Sequence, residues 1–225
     1  MTSSAMNPIT EDDIADFLLN TPDFFGRHAD LLSAVMLTSP HGNRAVSLQE
    51  RQAEMLREKI KLLEHRIMDM IRHGNENMII ADRLQRWARS LFMTAAPQDL
   101  PRAMAEGLQE EFMVPQVAVK VWGVAEAFAA EPFAQGVSDD VKSLASSLMA
   151  PYVGANAGFE AVSWLADASR VASVALIALR RGTEPQAFGL MVLASPDPQR
   201  FHAGMGTDFL ERMAELGSAA LTRLR

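Results

Sequence analysis

The chain has 225 residues, 48% of them hydrophobic and 22% charged, a balance that excludes wholesale disorder and suits one domain with extensions or two small domains. With 28 acidic against 21 basic residues the net charge is −7, which argues against broad, nonspecific nucleic-acid binding. There is no cysteine, and this removes disulfides, thiol nucleophiles, thioether-linked cofactors and cysteine metal sites together.

The first ten residues lack the basic-then-apolar pattern of a signal peptide. The longest apolar run, Val171 to Leu179, is interrupted by Ser173 and stops at Arg180 and Arg181, short of membrane-spanning length. The expectation is a cytoplasmic protein with no membrane partner.

Residues 1–44 read as a small helical unit. Thr10 is placed to cap a helix carrying Ile14, Phe17 and Leu18, with Asp13 near the positive end of its dipole. Thr21-Pro22 then reads as N-cap and first residue of the next helix. Phe24, Phe25, Leu31, Leu32 and Val35 give the unit something to bury, and Ser39 to Asn43 reads as a loop.

A long helix is predicted over residues 45–92. Counting sevens from Val46 gives Ala53, Ile60, Ile67, Gly74, Ala81 and Ala88. Counting from Gln49 gives Leu56, Leu63, Met70, Asn77, Leu84 and Leu91. Only Gln49, Gly74 and Asn77 break the apolar pattern, and a sustained 3-4 repeat of this kind specifies a left-handed coiled coil from Val46 to Leu91. Branched Ile60 and Ile67 at a, with Leu56 and Leu63 at d, favour two parallel strands. The predicted partner is therefore a second copy, with Leu56, Ile60, Leu63, Ile67 and Met70 at the interface; the alternative is a helix packed within one chain. Lys59 at g faces Glu64 at the following e, a pair worth only about 0.3–0.5 kcal/mol, which sets orientation more than stability. The weak layers at Gly74 and Asn77 mark either a hinge or a junction between packing environments.

Residues 93–225 change to mixed helix and strand. Asp99 is placed to cap a helix with Met104, Leu108 and Phe112 on one face, and Val117, Val119 and Val121 alternate as a strand. Val124 to Gly136 reads as an irregular connection. Ser138 caps a helix with Val141, Leu144, Leu148 and Met149 on its apolar face, ended by Pro151 and Gly154. Phe159 to Leu165 reads as a strand, and Ser173–Arg180 with Ala187–Ala194 as an antiparallel hairpin. Thr207 caps a last amphipathic helix. The order predicts an α+β domain, an antiparallel sheet with helices on one side.

Four segments together resemble a bacterial family. They are Pro22-Asp23-Phe24-Phe25 with His28 and Leu31-Leu32; Val46-Ser47-Leu48 with Glu50-Arg51-Gln52; Gly189-Leu190 with Ser195-Pro196-Asp197-Pro198 and Arg200-Phe201; and Met205 to Leu210. The family is catalogued as domain of unknown function four hundred and eighty-four. The resemblance covers nearly the whole chain and implies a GAF-like fold after the coiled coil. It brings no activity and no catalytic residues, although members are often encoded near a site-specific tyrosine recombinase. GAF-like domains bind small molecules or act as dimerising relays. Bilin attachment and free methionine sulfoxide reduction both require cysteine, and the Asn-Lys-Phe-Asp-Glu pattern of cyclic-nucleotide binders is not recognisable here.

The functional expectation is a non-enzymatic dimeric regulatory module that binds an unidentified small molecule. The alternative is an adaptor that docks a protein through its N-terminal unit and coiled coil. Tyr152, Asn156, Phe159, Ser163 and Trp164 flank the region where GAF-like domains place their pocket, and aromatics beside small polar groups suit a partly apolar ligand. The same aromatics serve equally as plain core. No cofactor is specified. The five histidines include no pair at metal-ligand spacing on a helix. A Ser195–His202–Asp208 triad is conceivable, but those residue types also serve turns and caps. Arg83, Arg86 and Arg89 recur every third residue, as a solvated face or as a docking stripe.

Overall fold

The computed structural model describes residues 9–34, 36–38 and 45–225. The loop expected at Ser39–Asn43, and Val35, lie outside the described residues. Contacts divide the chain into two units, Met1–His73 and Gly74–Arg225.

In the first unit α1 spans Glu11–Asn20, α2 Phe24–Arg27 and α3 Ala29–Ala34. Thr10 caps α1 as its sequence predicts. Its Oγ1 accepts from the Asp13 N–H at 3.2 Å, and the Asp13 carboxylate accepts from the Thr10 N–H at 2.9 Å. This reciprocal box satisfies two of the donors that every helix start leaves open. The Thr10 hydroxyl, then its backbone N–H, hold the Asp13 carboxyl below its ordinary value. The second helix begins two residues later than expected. Thr21-Pro22-Asp23 form a turn, closed by Phe24 N–H donating to Thr21 O at 3.0 Å, and Asp23 takes the N-cap position without a side-chain bond. Two short strands that the sequence reading lacked, β1 (Met36–Thr38) and β2 (Ala45–Ser47), pair antiparallel, Leu37 opposite Val46. The predicted start of the long helix at Val46 is therefore corrected: Val46 belongs to a strand, and α4 runs Leu48–Met93.

In the second unit β3 (Gln116–Val121), β4 (Tyr152–Ala155), β5 (Ser173–Arg180) and β6 (Ala187–Ser195) form one antiparallel sheet in the order β3-β6-β5-β4. The predicted β5–β6 hairpin is present, with Leu176 opposite Val192 and an irregularity at Leu179/Arg180. The helices are α5 (Leu100–Phe112), α6 (Asp139–Ser147) and α7 (Asp208–Leu221). Strand alternation gives the sheet two buried faces. Ala175, Ile177 and Leu179 of β5 with Met191 and Leu193 of β6 pack under α5, α7 and the last turns of α4. Val174, Leu176 and Ala178 with Leu190, Val192 and Ala194 pack under α6 and the segment around Val162. The expectation of helices on one side only is corrected: both faces are covered, which explains why β5 and β6 read as continuous apolar runs rather than as alternation.

Three local readings also change. Phe159–Leu165 is not a strand; Glu160–Trp164 form a 3-10 turn, with Val162 N–H bonded to Phe159 O at 3.0 Å. Gly154 does not end a helix but lies in β4, where a Cβ would come within 2.8 Å of the Tyr152 Oη folded over it. Met149 lies beyond α6 and is 94% exposed. Ser138 caps α6 as predicted, accepting from Val141 N–H at 3.2 Å. Asp99 and Thr207 make no side-chain cap bond and pair instead with Arg102 and Glu211.

Candidate functional site

The long helix carries two different apolar surfaces. Leu56, Ile60, Leu63, Ile67 and Met70 are 60%, 53%, 45%, 54% and 73% exposed. The same heptad count further on reaches Leu84, Ala88 and Leu91, which are buried, Leu84 and Leu91 in one core with α5 and α7. The seam read as far as Leu91 is corrected accordingly, because its last layers belong to the chain's own core. Trp87 anchors that core. Its indole N–H donates to Met104 O at 3.2 Å, and its ring lies so close to Gly107 that a Cβ there would sit 2.7 Å from Cδ1. Gly74 and Asn77 lie inside unbroken helix and are exposed, as is Ala81; the stripe becomes buried only from Leu84.

On the sheet, Tyr152, Asn156 and Phe159 come together at the outer edge. The two rings meet edge to face at 5.0 Å. The Tyr152 hydroxyl donates to Ala155 O at 3.2 Å. The Asn156 amide donates to Val171 O at 3.3 Å and accepts from Gly158 N–H at 3.0 Å. The other two candidate residues stand apart: Ser163 is exposed, and Trp164 lines a groove along the free edge of β3. That groove, about 460 Å³, also includes Arg102, Val119, Lys120 and Phe133. Lys120 donates to Pro132 O and Gln135 O at 2.6 and 2.8 Å, and burial lowers its pKa. The face under α6 is filled by Val141, Ala145, Ala161, Val162 and Leu165.

A larger cavity, about 590 Å³, opens where β5 outruns β4. The last β4 pair is Tyr152 with Leu176, so Ile177 to Arg180 have no strand on that side. Arg180 closes its end. The guanidinium donates to Ala145, Ser146 and Leu148 carbonyls at 2.8 to 3.0 Å, the groups left open at the C-terminus of α6, where a cation is favoured. Sequence reading took Arg180 only as the stop of an apolar run; an arginine ending a buried strand was the available signal.

Ser195 is 3% exposed and its Oγ accepts from Asp197 N–H at 3.1 Å, the bond of a turn. The arginine stripe is divided. Arg86 is bound to Glu111 and Asp82, and the Glu111 contact raises its pKa, whereas Arg83 and Arg89 carry no ion pair among the described residues. Among the described residues no group of three or more acidic or histidine side chains is placed to hold a metal, and no helix is long and apolar enough to cross a membrane.

No curated protein matches this chain. Solved GAF domains are similar in structure. One from an Acinetobacter phosphoenolpyruvate-protein phosphotransferase is 14% identical with TM-score 0.47, covering 64% of this chain and 92% of that one. One from a sensor histidine kinase described as such in Pseudomonas syringae pv. tomato is 16% identical with TM-score 0.45, covering 68% and 91%. A free methionine-R-sulfoxide reductase from Neisseria meningitidis, solved with its substrate, is 12% identical with TM-score 0.44, covering 64% and 88%. A family model matches residues 4–225, so the chain belongs to DUF484, a family of proteins of unknown function.

Proposed function

We propose that this protein is a homodimeric, non-catalytic regulatory module in which parallel α4 helices pair over about Leu56–Met70 and the sheet domain receives a small ligand. One observation carries the reading: a heptad stripe of leucine, isoleucine and methionine lies 45–73% exposed along a helix that continues into the buried core of the sheet domain. Covering an exposed Leu, Ile or Met side chain contributes on the order of 1.5–3 kcal/mol when complete, so five such layers outweigh the Lys59–Glu64 pair many times over.

The ligand we assign is small and partly apolar, held by Tyr152, Asn156 and Phe159; Ser163 and Trp164 stand apart from these three. Regulation requires that the ligand bind one pairing state of the helices better than the other. The test is thermal unfolding and dimer dissociation of the full chain, each followed against free amino acids, nucleoside monophosphates and dicarboxylates. At least one should raise the melting temperature and shift the dimer constant in an intact Tyr152–Phe159 protein but not in Tyr152→Ala. A panel that moves neither quantity overturns the ligand and leaves the dimer.

The adaptor reading has its own support. No residue of α1 or α2 is buried, and Ile14, Phe17, Leu19 and Leu31 are exposed. Phe24 and Phe25 are half-buried, Phe24 meeting Phe17 and His28 edge-on or tilted at 5.7 and 4.8 Å. Comparing proteins captured by the full chain and by a version lacking residues 1–44 decides it; unchanged recovery removes the N-terminal unit as the docking site.

A further inference from the structure

The a/d line of α4 is closed to a second copy beyond Ala81. Leu84, Ala88 and Leu91 occupy it and are at most 8% exposed, Leu84 and Leu91 in one core with the chain's own α5 and α7. A strict heptad would therefore direct two paired helices into surfaces that each chain has already filled. Large apolar side chains nevertheless remain exposed on this stretch. Met78 and Phe92 are 71% and 72% exposed, and with Ile71 and Gln85 they fall at seven-residue intervals along the e position.

The spacing between the two lines has a defined form. Ile67, Met70, Gly74, Met78 and Ala81 follow one another at 3, 4, 4 and 3 residues. An extra step of four in a heptad series is a stutter, which locally unwinds the supercoil. Moving from a to e turns the contact line by about 40° around the helix. This takes it away from buried Leu84 and Leu91 and toward exposed Met78, Gln85 and Phe92, with Ala88 at the edge of the buried face. Asn77 leaves the seam and Met78 enters it, so the second of the two weak layers disappears.

Gly74 fits the same arrangement. A glycine inside a helix costs about 1 kcal/mol against alanine. Nothing within this chain requires it, since a Cβ added there would meet no described atom within 4 Å. A neighbouring helix that approaches closely at the stutter does require it, because the missing Cβ lets backbones come together.

We infer that the interface between two copies is handed over at Gly74, by a four-residue stutter, from the a/d line to the line Met78–Gln85–Phe92. A second copy of this chain then also covers the outer face of α4 in the sheet-bearing unit. Gln85 places one polar layer in the continued line, which fixes register at some cost in stability. The inference rests on the dimer proposed above, and the following test separates the two.

The chain has no cysteine, so single cysteine variants form only disulfides between copies. A disulfide needs Cβ atoms roughly 3.5–4.5 Å apart, and core positions of a parallel pair bring the two copies of a residue nearer to that range than surface positions do. Ile60→Cys, Asn77→Cys, Met78→Cys and Phe92→Cys are oxidised in the full chain and followed on non-reducing gels. Ile60→Cys, Met78→Cys and Phe92→Cys should cross-link, and Met78→Cys about tenfold faster than Asn77→Cys. Equal rates at 77 and 78, faster linking at 77, or linking at 60 alone overturns the hand-over while the dimer stands. Failure at 60 overturns the dimer itself. A second measurement needs no disulfide. Met78→Asp should raise the dimer dissociation constant by about tenfold or more, about 1.4 kcal/mol, while Asn77→Asp leaves it within about twofold; the reverse order overturns the proposal.

Discussion

The two units spend their apolar residues in opposite ways. In Gly74–Arg225 the large side chains Trp87, Leu91, Leu100, Met104, Leu108, Ile177 and Met191 are fully buried in the chain's own core. In Met1–His73, Ile14, Phe17 and Leu19 of α1 and Leu56, Ile60, Leu63, Ile67 and Ile71 of α4 stay exposed. Monomeric proteins seldom leave a long contiguous apolar stripe in water, whereas single exposed apolar residues are ordinary. The second unit therefore builds a core of its own, with Met78 and Phe92 of α4 left outside it, and the first needs another surface to cover its apolar residues. One helix carries both regimes, and along its heptad line they change over between Ala81 and Leu84.

The largest expected effect breaks the first unit alone. Ile60→Asp with Ile67→Asp places two carboxylates per chain in the proposed seam, each costing about 3–5 kcal/mol as an unpaired buried charge. The dimer dissociation constant should rise more than about a thousandfold, read by light scattering, with the near-UV circular dichroism of the sheet domain unchanged. Loss of that signal together with the dimer would erase the distinction between the units.

Trp87→Ala attacks the other regime. It removes a fully buried ring and leaves the Met104 carbonyl without its indole donor, so urea unfolding should lose about 3–5 kcal/mol. Gly107→Ala overpacks the same contact and should cost about 1–3 kcal/mol. Ser138→Ala leaves the Val141 N–H and the Glu160 carboxylate without their hydroxyl, for about 1 kcal/mol. Comparable losses from Ser138→Ala and Trp87→Ala would show that the core is not what holds the sheet domain.

The smallest effect sharpens the comparison by pH. The folded-state pKa of Asp13 is lowered, so its contribution is present above the ordinary aspartate value of 3.8 and is lost as pH falls through the lower folded value. Exchange of the Asp13 amide should accelerate in that acid range, and Asp13→Asn should lack the transition.

Periodicity made the main elements legible. The 3-4 repeat located α4, and the runs from Ser173 and from Ala187 located the central hairpin. The readings that changed share a cause, which is that a neighbour outside the local window decides the outcome. Tyr152-Val153 become strand because β5 offers an edge at Leu176 to Ser173, and Val46 becomes strand because Leu37 pairs with it. Phe159–Leu165 has strand composition but buries Ala161, Val162 and Leu165 as a 3-10 turn against the sheet face. Heptad counting likewise does not say which layers the chain fills itself, and Trp87 at g, beside the counted line, is the residue that turns Leu84 and Leu91 inward. Of the candidate ligand residues, the GAF-like resemblance and aromatic content grouped Tyr152, Asn156 and Phe159 but did not separate Trp164, which the turn carries to the β3 edge.

Sedimentation equilibrium of the full chain tests the central claim most directly. At on the order of 10 μM protein, the account predicts a single species of twice the 24.7 kDa chain mass, dissociating only on dilution or on charging of Ile60 and Ile67. A mass of 24.7 kDa across that range would contradict it, because the exposed heptad stripe would then have no second copy to cover it.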